Sequence, residues 1–250
     1  MRPAGKSFSG SGRVRPVLYS SPVAKLTPFM EAMLVEGPGE LILVRHGQQG
    51  PNEFNDPMRP YGGNMELSEL GYRQAEVVAD ALADEEIHAV YASPLFRASA
   101  TGAAIGRRHG LEPVIIDDLR EFDGYRDLPA GRTVLDMLGE DGIAEMRRRF
   151  VTEQRFDHVA YSEPGEEFRT RVMRSIEQIT TRHPENSRIV IACHSGVINI
   201  VLSRVLGMSS DLVSFVAHAS ISRVMVGSGR MAVRSVNQDG HLRNAGVLTY

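Results

Sequence analysis

Short apolar runs separated by polar stretches predict a buried parallel sheet. The runs lie at 41–44, 89–92, 113–116 and 188–193, and turn-forming or polar residues follow each of them. Continuous apolar runs of this length are typical of strands that are covered on both faces. We therefore expect four strands of one sheet, with their carboxyl ends at a common edge.

The stretches between these runs carry apolar residues at helical spacing. One helix is predicted to begin after Ser68, a suitable N-cap. Its buried face is predicted to consist of Ala75, Val78, Ala79 and Leu82. A second helix should follow Ser93-Pro94, an N-cap and first-residue pair. Two more are predicted over 166–183 and 197–206.

This alternation predicts an α/β fold, a three-layer α/β/α arrangement with a mostly parallel central sheet. The regular pattern stops over about 122–164, which we interpret as a small cap insertion over the strand ends. Residues 213–236 alternate more like strands and include a hairpin turn at Gly227-Ser228-Gly229. We interpret 37–250 as a single domain.

Residues 1–36 differ in composition from the rest of the chain. They are rich in Ser, Gly and Pro, show no clear periodicity, and predict a disordered extension. Their basic, acid-free first 30 residues also resemble an organelle transit peptide. Translation from Met30 or Met33 is a third interpretation, and composition does not separate the three.

Composition excludes several classes of enzyme. Lys6 and Lys25 are the only lysines, so from residue 26 onward every fixed positive charge is an arginine. A Walker-type phosphate loop, a pyridoxal phosphate Schiff base and a kinase-like site all need a lysine. With one cysteine, Cys193, the chain has neither an internal disulfide nor a cysteine-rich zinc site.

Charge and hydropathy limit the kinds of partner that we expect for the protein. Beyond residue 30 the chain holds 31 acidic against 23 basic residues, which argues against nucleic-acid binding. No apolar run approaches the roughly 20 residues of a membrane span. We expect a cytoplasmic monomer or homodimer without membrane contact, since a single cysteine fits a reducing compartment.

Polar residues of matching chemistry follow four predicted strands. Arg45 and His46 end the first strand, and His194 ends the last one. Arg97 lies in a helix that begins just after the second strand, and Glu121 follows the third. Ligands of open α/β sheets bind at this edge. Two guanidiniums beside imidazoles suit a phosphoryl group, which predicts phosphoryl chemistry with a histidine nucleophile.

The sequence resembles the histidine phosphatase superfamily, which includes the phosphoglycerate mutases. The matching segments are Leu-Val-Arg-His-Gly at 43–47, Leu-Ser-Glu-Leu-Gly-Tyr-Arg-Gln-Ala at 67–75, Ser-Pro-Leu-Phe-Arg-Ala-Ser-Ala-Thr at 93–101, Leu-Arg-Glu-Phe-Asp-Gly at 119–124, Pro-Gly-Glu-Glu at 164–167 and His-Ser-Gly at 194–196. They occur in the family's order over roughly 40–225.

The resemblance implies roles for individual residues. His46 would be the phosphorylated nucleophile, Arg45, Arg97 and His194 the rest of the phosphate pocket, and Glu121 the general acid and base. The candidate substrate-binding residues are Asn52, Ser195 and His218, of which Asn52 occupies the place of a phosphate-contacting asparagine in the family. No cofactor and no metal are expected.

Some alternatives stay open at the sequence level. Glu121 is also a candidate helix-capping carboxylate, with Asp123 as the competing acid. The first functional hypothesis is a phosphatase of small phosphomonoesters. A phosphoglycerate mutase is the second, although residues 48–52 lack the Glu-Ser and Trp-Asn pattern of the mutases. A non-catalytic binder of phosphorylated ligands is the third. The arginines at 147–149 are either a solvated helix face or part of a substrate site in the cap.

Overall fold

The computed structural model describes residues 39–50 and 64–250, apart from residue 228. The predictions for residues 1–36 and for Asn52 lie outside the described residues. In the described part of the chain, the fold is a six-stranded mixed sheet with helices on both faces. The predicted three-layer α/β/α architecture is confirmed.

The sheet has the strand order β3-β2-β4-β1-β5-β6. The strands are β1 (Gly39–Arg45), β2 (Ala89–Ala92), β3 (Val114–Ile115), β4 (Arg188–Cys193), β5 (Ile221–Gly227) and β6 (Arg230–Gln238). The first four pair in parallel, whereas β5 and β6 run antiparallel as a hairpin against β1. The hairpin was therefore predicted correctly, and β3 is a shorter edge strand than the apolar run predicted.

Six helices flank the sheet in the described part of the chain. They are α1 (Glu69–Leu82), α2 (Phe96–His109), α3 (Val134–Glu153), α4 (Gly165–Thr181), α5 (Ser195–Leu206) and α6 (Gly240–Asn244). Alternate side chains of β1 separate the two layers: Leu41 and Leu43 pack with α4 and α5, while Ile42 and Val44 pack with α1, α2 and α6. Burial on both faces explains the unbroken apolar run of this strand.

Local signals set several helix ends. The Ser68 hydroxyl accepts the Gly71 N–H at 3.0 Å, so the predicted N-cap of α1 is confirmed. The predicted Ser93-Pro94 cap is wrong, because Leu95 is the N-cap of α2. The Ser93 hydroxyl accepts the Leu95 N–H at 3.2 Å and turns to His194 instead.

The interruption predicted over 122–164 contains α3 and a short 3-10 helix, Phe156–His158. Thr133 and Asp136 form a capping box at the start of α3. Gly139, at φ 65°, interrupts the helical backbone. Side chains of this segment line a cavity together with Glu121 and Ser195.

Candidate active site

The sheet brings three histidine rings together at the carboxyl ends of β1 and β4. The ring centroid of His46 lies 5.1 Å from that of His194 and 5.7 Å from that of His218. The His46 N–H donates to the Cys193 carbonyl at 2.9 Å, which continues the pairing of β1 with β4 beyond the strand end. The parallel register of two neighbouring strands therefore determines where the two predicted histidines meet.

Backbone and arginine contacts fix the orientation of the His46 ring. Its Nδ1 lies 2.7 Å from the Gly47 carbonyl, which can only accept, so we assign the proton to Nδ1. Nε2 then carries a lone pair, and the Arg97 Nε–H donates to it at 3.2 Å. Burial lowers the pKa of His46 well below its ordinary value, and His194, Arg97 and Arg45 add to that shift. The ring is therefore neutral, as a nucleophile must be.

Close backbone packing fixes the loop after His46. The Gly47 N–H donates to the Thr101 hydroxyl at 3.1 Å, and that hydroxyl donates to the Arg97 carbonyl at 2.7 Å. A Cβ on Gly47 would lie 2.3 Å from the Gly71 carbonyl oxygen, so only glycine fits against the start of α1. Thr101 connects the loop after His46 to the helix that carries Arg97, and it lies four residues beyond that arginine in the matching segment 93–101.

Arg45 contacts His218, which the sequence marked as a substrate-binding candidate. The Arg45 Nη2 donates to His218 Nε2 at 2.9 Å, and Nη1 donates to the Val216 carbonyl. Since an arginine can only donate, the His218 proton lies on Nδ1, which donates to the Thr249 hydroxyl at 3.0 Å. Burial, and then Arg45, lowers the pKa of His218 to about 3. The structure thus makes His218 a neutral acceptor for the Arg45 guanidinium.

His194 is fully buried and bonded to Ser93. Its Nε2 lies 2.8 Å from the Ser93 hydroxyl, while its Nδ1 has no hydrogen-bond partner among the described residues. A Ser93 hydroxyl that donates to Nε2 leaves the ring proton on Nδ1. Burial, and then Arg97, lowers the pKa of His194 well below its ordinary value. In that tautomer the neutral ring carries an N–H at Nδ1 that no described residue accepts.

Glu121 lies at the amino terminus of α5. Its Oε1 accepts the Phe122 N–H at 3.0 Å and its Oε2 accepts the Gly196 N–H at 3.1 Å. A Cβ on Gly196 would lie 2.2 Å from Glu121 Oε1, so glycine permits this approach. The helix-capping alternative is thus correct as a contact, but the same carboxylate also lines the cavity beside α5. The competing acid, Asp123, is exposed.

A buried arginine holds the loop that carries Glu121. Arg171 of α4 donates to the carbonyls of Asp118, Arg120 and Glu121 at 2.7–2.9 Å, and it forms a bidentate pair with the buried Glu163 at 2.6 and 2.8 Å. Glu163 also accepts the Asp123 N–H at 3.2 Å. No sequence pattern indicates Arg171 and Glu163, because the groups they hold in place are backbone atoms far away along the chain.

Ser195 is the first residue of α5 and lines two cavities. One contains Glu121 and the other contains Arg45. Across the described residues, no group of three or more His, Cys, Asp or Glu side chains could hold a metal ion. The helices described here include none that is long and apolar enough to cross a membrane. A buried neutral histidine that contacts Arg97, with Arg45 next to it in sequence and a carboxylate lining a nearby cavity, suits phosphoryl transfer.

Comparisons with known proteins identify the class. The family model of the histidine phosphatase superfamily (branch 1) matches residues 41–239, and the chain belongs to this family. It is 29% identical to phosphoserine phosphatase 1 of Hydrogenobacter thermophilus over 81% of this chain and 94% of that protein. It is 28% identical to glucosyl-3-phosphoglycerate phosphatase of Mycolicibacterium vanbaalenii over 68% and 76% of the two chains.

Solved structures show the same fold. A mycobacterial glucosyl-3-phosphoglycerate phosphatase superposes with a TM-score of 0.65 at 21% identity, covering 80% of this chain and 98% of that one. A phosphoglycerate mutase from Bacillus anthracis superposes with a TM-score of 0.67 at 20% identity, covering 83% and 96%. Phosphatases and a mutase therefore share this fold, and the fold alone does not choose between the two reactions.

Proposed function

We propose that the protein is a phosphatase that hydrolyses small phosphomonoesters through a phosphohistidine on His46. The observation that carries this proposal is the state of the His46 ring, which is neutral, buried and protonated on Nδ1. Its Nε2 lone pair is the nucleophile, and it points to the Arg97 guanidinium. That guanidinium is the group that would hold a phosphoryl oxygen.

In the first step, His46 Nε2 forms a bond to phosphorus and the bond from phosphorus to the ester oxygen breaks. Arg45 and Arg97 balance the charge on the non-bridging oxygens, and the His194 Nδ1–H adds a neutral donor. Glu121, in its protonated form, gives its proton to the departing oxygen. The leaving alcohol therefore departs on the Glu121 side.

In the second step, water replaces the alcohol. The Glu121 carboxylate takes a proton from that water, whose oxygen bonds to phosphorus while the bond to His46 breaks. Inorganic phosphate then leaves, and Glu121 is again protonated for the next turnover. Glu121 therefore gives a proton in the first step and takes one in the second.

Relatives support hydrolysis over the mutase alternative. The two curated relatives above carry phosphatase names and align over most of their own length. The mutase is only 20% identical to this chain, and identity at that level supports a shared fold but not a shared reaction. The chain also lacks tryptophan and the Glu-Ser and Trp-Asn pattern after the first histidine motif.

The proposal also covers the substrate, the metal requirement, the location and the oligomeric state of the enzyme. We expect a small phosphorylated substrate, a phosphate contact from Asn52, activity without a metal, and no nucleic-acid partner. A single buried cysteine fits the reducing cytoplasm. A monomer or a homodimer fits the proposal equally well, since the described site is built from one chain.

The test is phosphate release from a panel of phosphomonoesters that includes 3-phosphoglycerate. The wild type should release phosphate, and His46→Ala should lose activity by at least about 10³-fold because the nucleophile is gone. His88→Gln is the matched control, because His88 is exposed and precedes β2 at the opposite edge of the sheet. Rapid acid and alkali quenching should reveal an acid-labile, alkali-stable phosphoenzyme in the wild type only.

Two results would overturn the proposal. One is isomerisation of 3-phosphoglycerate in the presence of a bisphosphate primer, with no phosphate released from any ester, which is the mutase reaction. The other is equal phosphate release by the wild type and His46→Ala, which would exclude His46 as the nucleophile.

A further inference from the structure

The three consecutive arginines of α3 differ in their partners. Arg148 forms a bidentate pair with Glu145, with both distances 2.7 Å. The Arg149 Nε lies 3.8 Å from a Glu153 oxygen. Arg147 makes no ion pair or hydrogen bond in the described part of the chain, and it lines the cavity that contains Glu121. One of three similar side chains therefore remains available to a ligand.

This cavity has a volume of about 360 Å³ and walls that are mostly apolar. Phe122, Phe150 and Phe156 belong to an aromatic cluster, with ring centroids 4.5 Å apart for Phe122 and Phe156 and 6.1 Å apart for Phe150 and Phe156. Among the described residues that line the cavity, the only charged side chains are Glu121 and Arg147. The space is large enough for a ring-sized group.

The position of Glu121 identifies what this cavity receives. In the proposed reaction, Glu121 gives its proton to the departing oxygen, so the leaving alcohol must lie beside it. Apolar walls favour an apolar body, because such a body loses contact with water there. An unpaired guanidinium at an apolar surface favours a carboxylate or another anion, which it can bind through two parallel hydrogen bonds.

We propose that the preferred substrates are phosphomonoesters whose leaving group combines an apolar, ring-sized body with an anionic group held by Arg147. This inference rests on the proposed phosphatase function and specifies its substrate class. It also gives residues 122–164 a role in choosing the substrate, since α3 provides both Arg147 and part of the apolar wall.

The proposed contact between Arg147 and an anionic group of the substrate is tested with 4-carboxyphenyl phosphate and the neutral 4-(hydroxymethyl)phenyl phosphate. The wild type should show a ratio of kcat/KM values that favours the carboxylate ester by about tenfold, as expected for a charge-assisted contact. Arg147→Gln should bring this ratio down by the same factor. Arg148→Gln is the matched control and should keep the wild-type ratio, because Arg148 is paired with Glu145. The comparison between variants cancels the different acidities of the two leaving groups.

The proposed preference for an apolar leaving group is tested by comparing benzyl phosphate with 2-hydroxyethyl phosphate, since both are esters of primary alcohols. The wild type should favour the benzyl ester in kcat/KM, mainly through a lower KM. Phe150→Ala should reduce this preference, since Phe150 forms part of the wall and is only half-buried.

The outcomes separate the two proposals. Release that depends on His46 but shows the same carboxylate ratio in the wild type and Arg147→Gln would overturn the substrate class and leave the phosphatase intact. A preference for the polar 2-hydroxyethyl ester would do the same. Failure to release phosphate from any of these esters and from the broader panel would overturn the phosphatase proposal, and the substrate class with it.

Discussion

At the scale of single residues, the site depends on three histidines that are buried without charge. His46, His194 and His218 each have a pKa lowered first by burial, and nearby guanidiniums oppose their protonation further. The positive charge of the pocket is therefore provided by Arg45 and Arg97, whereas the imidazoles provide a lone pair, an N–H and an acceptor. This division would keep His46, the proposed nucleophile, neutral beside two permanent cations.

We expect the neutral His218 to make the fold sensitive to acid. Its folded pKa is about 3, whereas the unfolded chain binds this proton at about 6.5. Below pH 6.5 the unfolded state therefore holds more protons, and the free energy of unfolding falls by about 1.4 kcal/mol per pH unit for this residue. Between pH 7 and pH 5, His218→Gln should lose about 2 kcal/mol less than the wild type, as measured by urea unfolding. An equal loss in both proteins would contradict this.

Ser93 shows where residue-level prediction reached its limit. Ser-Pro before a helix is a sound capping pattern, and the Ser93 hydroxyl does accept a nearby backbone N–H. The same hydroxyl nevertheless forms a hydrogen bond with His194, which is 101 residues away in sequence. No local pattern contains this partner, because β2 and β4 become neighbours only in the sheet.

At the scale of elements, the amino terminus of α5 holds Glu121, the proposed general acid and base. His194 is the N-cap residue, Ser195 begins the helix, and the Gly196 N–H binds Glu121. The first turn of this helix thus connects the proposed phosphate pocket to the cavity that contains Glu121.

We expect Gly196→Ala to impair proton transfer rather than phosphate binding. The added methyl group would lie 2.2 Å from Glu121 Oε1 and would displace the carboxylate. Hydrolysis of alkyl phosphates, whose leaving oxygens need a proton, should slow by roughly 10²-fold, whereas 4-nitrophenyl phosphate should be much less affected. Parallel kinetics on both esters test this.

Gly240→Ala is the matched control for that substitution. It changes the first residue of α6, where an added Cβ meets nothing within 4 Å, so both esters should react at wild-type rates. An equal slowing of alkyl and nitrophenyl esters in Gly196→Ala would mean that Glu121 is not the proton donor.

At the scale of the whole molecule, the fold supplies cationic charge by placing arginines at one edge of the sheet. Arg45 is the last residue of β1, and Arg97 is buried in the first turn of α2, after β2. Guanidiniums bind phosphoryl oxygens in pairs and do not lose their charge near neutral pH. The edge therefore provides the electrostatic stabilisation that phosphoryl transfer requires.

Activity should therefore survive removal of divalent metal ions. Dialysis against a chelator should leave kcat and KM for a released-phosphate assay within experimental error of the untreated enzyme, and added Mg²⁺ or Zn²⁺ should not raise kcat. Loss of activity on chelation that is restored by one of these ions would contradict the arginine-based mechanism.

The sequence by itself determined the layers of the fold and the chemistry of the edge. The unbroken apolar run of β1 requires cover on both faces, and the buried face predicted for α1 is the observed one. Residues that directly follow strands, such as His46 and His194, must lie at the carboxyl edge of a parallel sheet. These features follow from periodicities of two to four residues, which a single sequence displays.

Only the tertiary structure decided which proton each group holds and what faces the departing alcohol. The state of His46 depends on the Gly47 carbonyl and Arg97, and the place of Glu121 depends on Gly196 and Arg171. Arg148 and Arg149 form ion pairs with Glu145 and Glu153, whereas Arg147 lines the cavity that contains Glu121. Burial and partners that are distant in sequence set these properties, and both arise only when the chain packs.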